Sequence, residues 1–382
     1  MATKRLLILT ERFPPDVGGV ASSAERIARG ICRLGVAVDV LHWARSLPPG
    51  EVEITEEGDL RVVQMGMYRQ WDLTLPMTEH WLSAVHGAHP YGAVWGHYLV
   101  PAGFMAVWLG ETWGIPATVS ARGNDVDRGM FPPHDFARLQ WTLARSPQIT
   151  AVSQDLGRKI ERLSGRRDVL VLGNAVDTER FTPVGPTLTR AELGISEEAL
   201  VLGFIGELRE KKGEAYLLEA FAQVQRVRPA VLVIIGEVRE SIDATLYHFR
   251  DRHPQAQLVV TGHLTDPEQV AAHIRLCDLV VLPSLWEGMP NALLEAMACG
   301  RCCLASDVGG IPELLRHGEN GWLIGRSQLA QLGTAILEFA NLPATLKQRV
   351  AERARQKMVQ EYSLDQEGDR LKALCQAWYP VC

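Results

Sequence analysis

Short apolar runs alternate along this chain with longer stretches in which apolar residues recur every three or four positions. The first run, LLILT at 6–10, ends at the charged pair Glu11-Arg12, and later runs end in glycine-rich or polar loops. Runs of this length predict buried strands, and the stretches between them predict amphipathic helices. The pattern therefore predicts repeated βαβ units, and with them an α/β fold built on parallel sheets.

In the first half, the pattern predicts six strands, a helix and a small hairpin. The helix covers Val20–Leu34 and carries Ala24, Ile27, Ala28 and Ile31 on one face. The hairpin lies between Val52 and Val63, around the charged turn EEGD. The predicted strands are Arg5–Thr10, Ala37–His42, Ala93–His97, Ala117–Ser120, Ile149–Val152 and Val169–Leu172.

The same pattern starts again after PVGPTL (183–188), a Pro/Gly-rich stretch without periodicity that we interpret as a domain boundary near Gly185. We expect two Rossmann-like domains, residues 1–185 and 186–365. The second domain has an inward-facing helix over Glu214–Val227, and the tail has helical patterns at Ser327–Phe339, Leu346–Tyr362 and Gln366–Trp378. The predicted strands are Val201–Ile205, Val231–Ile235, Gln257–Thr261, Leu279–Leu282 and Cys302–Ala305.

Composition narrows the class of protein. The 382 residues are 47% hydrophobic and 22% charged, as in globular proteins, and the formal net charge of −6 argues against a nucleic-acid partner. The run at 6–10 is too short for a signal peptide, and no run approaches the ~18 apolar residues of a membrane span. We expect a cytoplasmic protein, with a peripheral contact at the inner face of the membrane left open.

Seven cysteines are scattered along the chain, and three of them, Cys299, Cys302 and Cys303, are close enough to suggest a metal site. No second CxxC and no pair of histidines nearby completes a tetrahedral set. We therefore interpret these three as small apolar residues that enter a buried strand, and expect no metal.

The most informative stretch is SLWEGMPNALLEAMACG at 284–300. An apolar strand, LVVLP, leads into a turn at Glu287-Gly288-Met289, and Pro290 suits the first position of the helix that follows. Such a strand–turn–helix directs free N–H groups and the positive end of a helix dipole at one point, which favours an anion. Two carboxylates, Glu287 and Glu295, flank that point and suit sugar hydroxyls. The local chemistry predicted is phosphate plus polyol.

This stretch resembles the E-x7-E motif of retaining GT-B-fold glycosyltransferases, most closely family four. The similarity continues through ACGRCCLASDVGGIPELL (298–315) and HGENGWL (317–323), and it extends more loosely over nearly the whole chain. It implies two Rossmann-like domains facing across a cleft, an acceptor domain first and a nucleotide-sugar donor domain second. It also implies that the last helix, at about 366–382, crosses back to the first domain.

For the donor, the resemblance implies a catalytic role for Glu287, for Lys212 of the K-G pair at 212–213, and for Arg209. Relatives carry arginine where this chain has Glu207, and Arg209 is the substitute from the same loop. Glu287 would hold the donor sugar and Glu295 the ribose hydroxyls, while TGHLTD (261–266) would meet the nucleobase. The other donor-binding residues implied are Gly18, Gly19, Gly206, Leu264, Gly288, Met289, Pro290, Asn291 and Ala292.

Acceptor-binding residues are expected at the strand ends of the first domain, where open α/β sheets bind ligands. His97 resembles the second histidine of an H-x-H strand end, and a histidine satisfied within the domain is the alternative. Relatives usually have His-Gly-x-Asp where this chain reads SARGND (120–125), so Arg122 replaces the histidine beside Asn124 and Asp125. Arginine cannot accept a proton, but its planar fork binds phosphate or carboxylate, which favours an anionic acceptor.

Two stretches of the first domain stay open to two interpretations. Residues 64–81 hold Met, Tyr and two Trp, which suits either an acceptor- or membrane-contacting loop or a helix packed on the sheet. RKIERLSGRR (158–167) concentrates basic residues, which suits either an anionic lipid surface or a solvated helix end.

The resemblance as a whole implies transfer of a sugar, with retention and without a metal cofactor, from a nucleoside diphosphate sugar, with a UDP- or GDP-sugar as the favoured donor. It further implies a glycan, a lipid-linked saccharide or a small molecule as the acceptor, and it specifies no oligomeric state. The loop after the first strand carries Gly18-Gly19 but is not GxGxxG, so a dinucleotide-binding enzyme fits poorly. An epimerase-like enzyme and a catalytically inactive nucleotide-sugar-binding module remain the alternatives.

Overall fold

The computed structural model describes residues 5–379. Within that range, the residues up to Asn174 pack together with Glu367 and the residues after it, and Ala175–Gln366 form a second compact unit. The chain therefore changes unit at Ala175, inside the segment NAVDTERF (174–181), and the Pro/Gly-rich stretch around Gly185 belongs to the second unit.

In its described part, the first unit contains eight strands and six α-helices before the chain leaves it. Its strands are β1 Arg5–Thr10, β2 Ala37–Ala44, β3 Val52–Glu57, β4 Leu60–Gly66, β5 Ala93–His97, β6 Ala117–Ala121, β7 Gln148–Ala151 and β8 Leu170–Val171. Its helices are α1 Gly19–Arg33, α2 Trp71–Ala88, α3 Phe104–Trp113, α4 Asp125–Gly129, α5 Pro133–Arg145 and α6 Gln154–Ser164.

These strands form one sheet in the order β3-β4-β2-β1-β5-β6-β7-β8. Every pair is parallel except β3 with β4, which form the predicted hairpin. Along β1, Leu6 and Ile8 belong to one hydrophobic cluster while Leu7 and Leu9 belong to another. Both faces of the sheet are therefore covered, which is why its central strands are apolar almost without interruption.

The second unit repeats the design with a six-stranded parallel sheet. Its strands are β9 Leu200–Ile205, β10 Ala230–Ile235, β11 Gln257–Val260, β12 Leu279–Leu282, β13 Cys302–Ser306 and β14 Trp322–Ile324. They lie in the order β11-β10-β9-β12-β13-β14. Its helices are α7 Glu214–Gln225, α8 Glu240–Arg252, α9 Pro267–Leu276, α10 Asn291–Ala298, α11 Ile311–Leu314, α12 Leu332–Ala340 and α13 Ala344–Glu361.

The last helix, α14 Leu364–Trp378, packs on the first unit, as the resemblance implies. Leu371 and Trp378 lie in the same cluster as the β1 residues Leu6 and Ile8. The Trp378 indole N–H donates to the hydroxyl of Thr118 at 2.9 Å. Burial of these apolar side chains gives the helix its main stabilisation, since apolar area removed from water contributes about 25 cal/mol per Å².

The predicted elements are confirmed with a few differences at their ends. The short strand β14 was not predicted, because three residues are too few to show a period of two. The helix predicted over Ser327–Phe339 is in fact a 3₁₀ segment, Arg326–Gln331, followed by α12. Residues 64–81 end β4 and begin α2, whose residues Leu75 and Leu82 are buried, so ordinary packing on the sheet accounts for much of that stretch.

The three clustered cysteines lie in the core of the second unit. Cys302 and Cys303 are on β13 and Cys299 follows α10, and all three are buried thiols. Burial raises the pKa of the Cys302 thiol to about 11 and that of Cys299 to about 12. They therefore pack as small neutral side chains, as interpreted from the sequence.

Candidate functional site

The strand order of the second sheet reverses at β9, which lies between β10 and β12. The loop 206–213 follows β9, and the loop 283–290 follows β12. Open parallel sheets bind ligands beyond the carboxyl ends of their strands at such a reversal. The loops that carry Lys212 and Glu287 thus lie where this architecture builds a site.

These two loops are fastened to each other through their backbones. The Leu285 N–H donates to the carbonyl oxygen of Lys211 at 2.9 Å. Gly213 has a positive φ of +75°, and a Cβ at this position would lie 2.0 Å from the carbonyl oxygen of Pro283. The glycine of the K-G pair is therefore required here by close approach as well as by backbone conformation.

The fastened loops bring Lys212 and Glu287 into a buried ion pair. The Lys212 Nζ lies 2.5 Å from the Glu287 Oε1, and the Ser284 hydroxyl donates to the same oxygen at 2.8 Å. Only 13% of the lysine side chain and 7% of the glutamate side chain are exposed. Two opposite charges so placed, each removed from most of the solvent, depend strongly on one another.

Burial alone would raise the pKa of Glu287, but the nearby charges of Lys212 and Lys211, with the hydrogen bonds from Lys212 and Ser284, hold this pKa below its ordinary value. Burial lowers the pKa of Lys211. Glu287 therefore stays ionised at neutral pH, and protonation would cost the pair its stabilisation only as the pH falls through the lowered pKa.

The turn after β13 packs against the backbone of Glu287 and Gly288. The Gly310 N–H donates to the carbonyl oxygen of Gly288 at 2.7 Å. Gly309 has a φ of +55°, and a Cβ there would lie 1.9 Å from the carbonyl oxygen of Glu287. This contact places the segment DVGGIPELL (307–315) directly against the loop that carries Glu287.

Helix α10 starts at Asn291, so Pro290 flanks the helix rather than forming its first residue. Free N–H groups of a first helical turn favour an anion. The Asn291 Oδ1 is buried and has no hydrogen-bond partner among the residues that the structure describes. Gly288 and Met289 are buried beside it, and Ala292 and Glu295 are half-buried on the helix. The region combines N–H donors, an amide and carboxylates, which suits a phosphorylated polyol.

The remaining donor candidates lie at neighbouring strand ends. Gly206, with φ +112°, directly follows β9, and Arg209 precedes the 3₁₀ turn Glu210–Lys212. The Arg209 Nη1 lies 3.2 Å from the carboxylate of Glu207, the residue at the position where the resemblance implies an arginine. Leu264 is half-buried in the loop after the edge strand β11.

In the first unit the strand order reverses between β1 and β5, and the predicted residues again lie beyond those strand ends. Gly18, with φ +131°, and Gly19 open helix α1 after β1. At the end of β5, His97 is 1% exposed and its Nε2 lies 3.0 Å from the Ser23 hydroxyl of α1. The Ser23 hydroxyl donates its hydrogen to the Val20 carbonyl at 3.1 Å. Its oxygen therefore accepts a hydrogen bond from His97, which places the single N–H of the neutral ring on Nε2.

His97 should give the protein a measurable pH dependence. Burial, with the charges of Arg122 and Arg26, lowers its pKa well below the ordinary value. Between the lowered pKa and pH ~6.5, the unfolded chain binds one proton more than the folded protein. The free energy of unfolding therefore falls by about 1.4 kcal/mol for each unit by which the pH is lowered through this range. We expect the melting temperature of wild type to fall further between pH 7.5 and 5.5 than that of His97→Asn. Equal falls in the two proteins would contradict a buried neutral histidine.

Arg122 is 8% exposed and turns towards the protein. Its guanidinium donates to the Asn174 side-chain oxygen at 2.5 Å and to the Leu172 carbonyl at 3.4 Å. Asn174 also accepts from Arg26, which forms a second, bidentate contact with Glu367. This arginine thus ties the end of β6 to the segment after β8.

Asp125 holds the loop that contains Arg122 through hydrogen bonds to backbone N–H groups. Its buried carboxylate accepts hydrogen bonds from the backbone N–H groups of Arg122, Gly123 and Leu99 at 3.0–3.3 Å. Burial raises the pKa of Asp125, against these three bonds. The neighbouring Asn124 accepts from the Tyr98 hydroxyl at 3.2 Å. Asp125 therefore fixes the backbone after β6, while Asn124 beside it is only half-buried.

Four residues of these clusters were not singled out from the sequence: Ser23, Asn174, Ser284 and Lys211. Asn174 opens the segment NAVDTERF (174–181), which resembles the N-G-V-D-x-x-x-F segment of family-four glycosyltransferases, and this resemblance was a usable signal. Ser23 and Ser284 carry no such signal, since a serine becomes informative only when its distant partner is known.

Two further properties concern the described range, residues 5–379. No three His, Cys, Asp or Glu side chains in it are grouped so that they could hold a metal ion. None of its helices is long and apolar enough to cross a membrane.

Two family models match the chain. "Glycosyl transferases group 1" matches residues 187–357, in the second unit, and "Glycosyl transferase 4-like domain" matches residues 18–175, essentially the first. The N-acetyl-alpha-D-glucosaminyl L-malate synthase of Bacillus anthracis is 26% identical over 269 residues, which are 70% of this chain and 69% of that protein.

Solved structures share the fold at low sequence identity. Sucrose-phosphate synthase from Thermosynechococcus elongatus superposes with a TM-score of 0.82 at 15% identity, covering 99% of this chain and 100% of that one. HepE from Anabaena, in complex with UDP and glucose, gives a TM-score of 0.77 at 18% identity, covering 98% and 100%. With one family model on each unit and this shared GT-B architecture, the chain belongs to the group 1 glycosyltransferases.

Proposed function

We propose that the protein transfers a hexose, with retention of anomeric configuration and without a metal ion, from a UDP- or GDP-sugar to a glycan, lipid-linked or small-molecule acceptor. The observation that carries the proposal is the buried Lys212–Glu287 pair at the strand-order reversal of the second sheet, beside the start of α10. Nucleotide binding by a relative in fold, HepE with UDP and glucose, agrees with a uridine donor.

The electrical problem of the reaction is the negative charge that grows on the departing diphosphate. Lys212, Lys211 and Arg209 place three positive charges on one short loop, and the first turn of α10 adds N–H donors. Preorganised positive groups in a site with little water stabilise such charge strongly. These protein charges would do the work that a divalent cation does in metal-dependent transferases.

The two glutamates take different parts of the donor. Glu287 accepts hydrogen bonds from hydroxyls of the transferred sugar, and Glu295 accepts those of the ribose. Leu264 contacts the base. The anomeric C–O bond to the diphosphate breaks while the acceptor hydroxyl oxygen attacks from the same face, and the hydroxyl proton passes to the departing phosphate oxygen.

The acceptor is expected to contact the strand ends of the first unit, near His97, Asn124 and Asp125. Arg122 favours an acceptor with an anionic group. Two similar proteins are named after anionic compounds, one as an L-malate synthase and the other as a sucrose-phosphate synthase. Because the Arg122 guanidinium contacts Asn174 and Leu172, its contribution would be mainly through its charge.

The test is a thermal shift in EDTA against UDP, GDP, ADP and their sugars, followed by NMR of the anomeric proton of the product. A ligand at 100 times its Kd stabilises by about 2.7 kcal/mol, which raises the melting temperature measurably. We expect one nucleotide to act selectively, the shift to be lost in Glu295→Ala, and the product to keep the donor's configuration. Binding without transfer to any acceptor would favour the nucleotide-sugar-binding module, and an inverted product would refute retention.

A further inference from the structure

The loops after β9 and β10 stay paired beyond the ends of their strands. Leu208 and Val238 form a parallel bridge, in which the Leu208 N–H donates to the Glu237 carbonyl at 2.8 Å and the Arg239 N–H donates to the Leu208 carbonyl at 3.1 Å. This pairing brings Glu207 of one loop opposite Arg239 of the other.

Glu207 and Arg239 form a fork-to-fork ion pair. The Arg239 Nε and Nη2 each donate to a different oxygen of Glu207, both at 2.9 Å. Paired N–H donors that match both oxygens of a carboxylate fix its orientation as well as its charge. Glu207 is therefore held from the β10 side, although it is 36% exposed.

Arg209 also contacts this carboxylate, with its Nη1 3.2 Å from the Glu207 Oε2, the oxygen that the Arg239 Nη2 contacts as well. Its Nε is buried and has no hydrogen-bond partner among the described residues. A guanidinium carries five N–H donors, and among residues 5–379 the ion pair with Glu207 engages it through Nη1. Arg209 is thus anchored at one nitrogen and retains donors for an anion. It lies three residues before Lys212, whose N–H donates to the Arg209 carbonyl at 2.8 Å.

We propose that Glu207 is a positioning residue for Arg209, and that the Arg239 fork keeps Glu207 from neutralising it, so that Arg209 presents its guanidinium to the diphosphate of the donor. The inference rests on the proposed function, since it takes the diphosphate from there. It gives a role to the glutamate that stands where relatives carry arginine: a carboxylate satisfied by Arg239 anchors a guanidinium two residues further on.

The sign of one substitution separates positioning from simple charge. Glu207→Gln removes a negative charge beside the diphosphate, so a charge effect alone would tighten nucleotide binding. If Glu207 anchors Arg209, the same change weakens binding, because the guanidinium must then be ordered by the ligand. Arg239→Lys keeps the charge but cannot form the fork, so only the positioning role makes it weaken binding.

The experiment is calorimetric titration of the full-length protein with UDP and GDP, and with the corresponding nucleosides as ligands that lack phosphate. For the nucleotide that wild type binds, we expect Kd to rise about tenfold in Glu207→Gln and several-fold in Arg239→Lys, since hydrogen bonds to charged groups carry effects of this size. The double variant should bind no more weakly than Glu207→Gln, and Arg209→Ala should bind at least as weakly. Nucleoside binding should not change.

Glu57→Gln is the matched control, because Arg29 forms a similar fork on Glu57 in the first unit, at 3.1 and 2.9 Å. It should leave Kd unchanged. Wild-type binding with an unchanged or tighter Kd in both Glu207→Gln and Arg239→Lys would overturn the positioning role alone. A wild type that binds neither nucleotide would overturn the proposed donor, and the inference with it.

Discussion

Replacing Lys212 with alanine is expected to lower kcat for sugar transfer by about two to three orders of magnitude, the range seen when one preorganised stabilising group is removed. The Lys212 ammonium lies in a site where 13% of its side chain is exposed, so its charge is weakly screened by water. In the proposed mechanism, this ammonium stabilises the departing diphosphate. Initial rates at saturating donor measure the effect, and Kd for the free nucleotide should rise as well.

Two further variants control for charge and for general destabilisation. Lys212→Arg keeps the charge but changes its shape, so it should recover only part of the rate. Lys347→Ala removes another lysine of the second unit, whose Nζ donates to the Ala340 carbonyl at 2.8 Å, and should leave kcat unchanged. A folded Lys212→Ala protein with kcat within threefold of wild type would show that Lys212 is not catalytic.

Replacing Glu287 with glutamine is expected to separate catalysis from nucleotide binding. The amide can keep the Ser284 hydrogen bond but loses the charge that binds Lys212, and with it the charge that we propose for the donor hydroxyls. We expect kcat to fall by about a hundredfold, as for other charge-stabilising groups. Lys212, released from its partner, should meanwhile hold the free nucleoside diphosphate as tightly as before or more tightly.

Steady-state rates and calorimetric Kd values together test this separation. Glu287→Asp keeps the charge on a shorter side chain and should retain more activity than Glu287→Gln. Glu319→Gln changes an exposed carboxylate 3.7 Å from Arg316 and serves as the neutral control. If nucleotide binding in Glu287→Gln is lost in parallel with kcat while the melting temperature is kept, Glu287 contributes to ground-state binding instead.

The contrast between the two variants follows from their buried contact. Removing one member of a buried ion pair leaves the other charge without its main partner, which typically costs about 3–5 kcal/mol of stability. Each variant therefore needs a melting curve beside its kinetics. Lys211 and Ser284 remain near Glu287 when Lys212 is removed, which moderates the loss.

Much of the fold could be predicted from the sequence, because parallel strands covered on both faces are continuous apolar runs. β1 and β5 have the predicted bounds, and the buried face of α1 includes all four predicted residues. The strand β14 was not predicted, because three residues are too few to show the period of two that identifies a strand. The helix α14 was recognisable, but its attachment to the first unit depends on contacts such as Trp378 with Thr118, which periodicity does not specify.

For the site, the sequence by itself determined the local chemistry: a strand–turn–helix with two glutamates, a K-G pair, and glycines at strand ends. These depend on neighbours in the chain, which a sequence displays directly. The tertiary structure decided the pairings, because they join residues far apart: Lys212 with Glu287, Ser23 with His97, Arg122 with Asn174, and Glu207 with Arg239. A charged residue shows its type in the sequence, but only the arrangement of strand ends decides which partner holds it and which ligand it can meet.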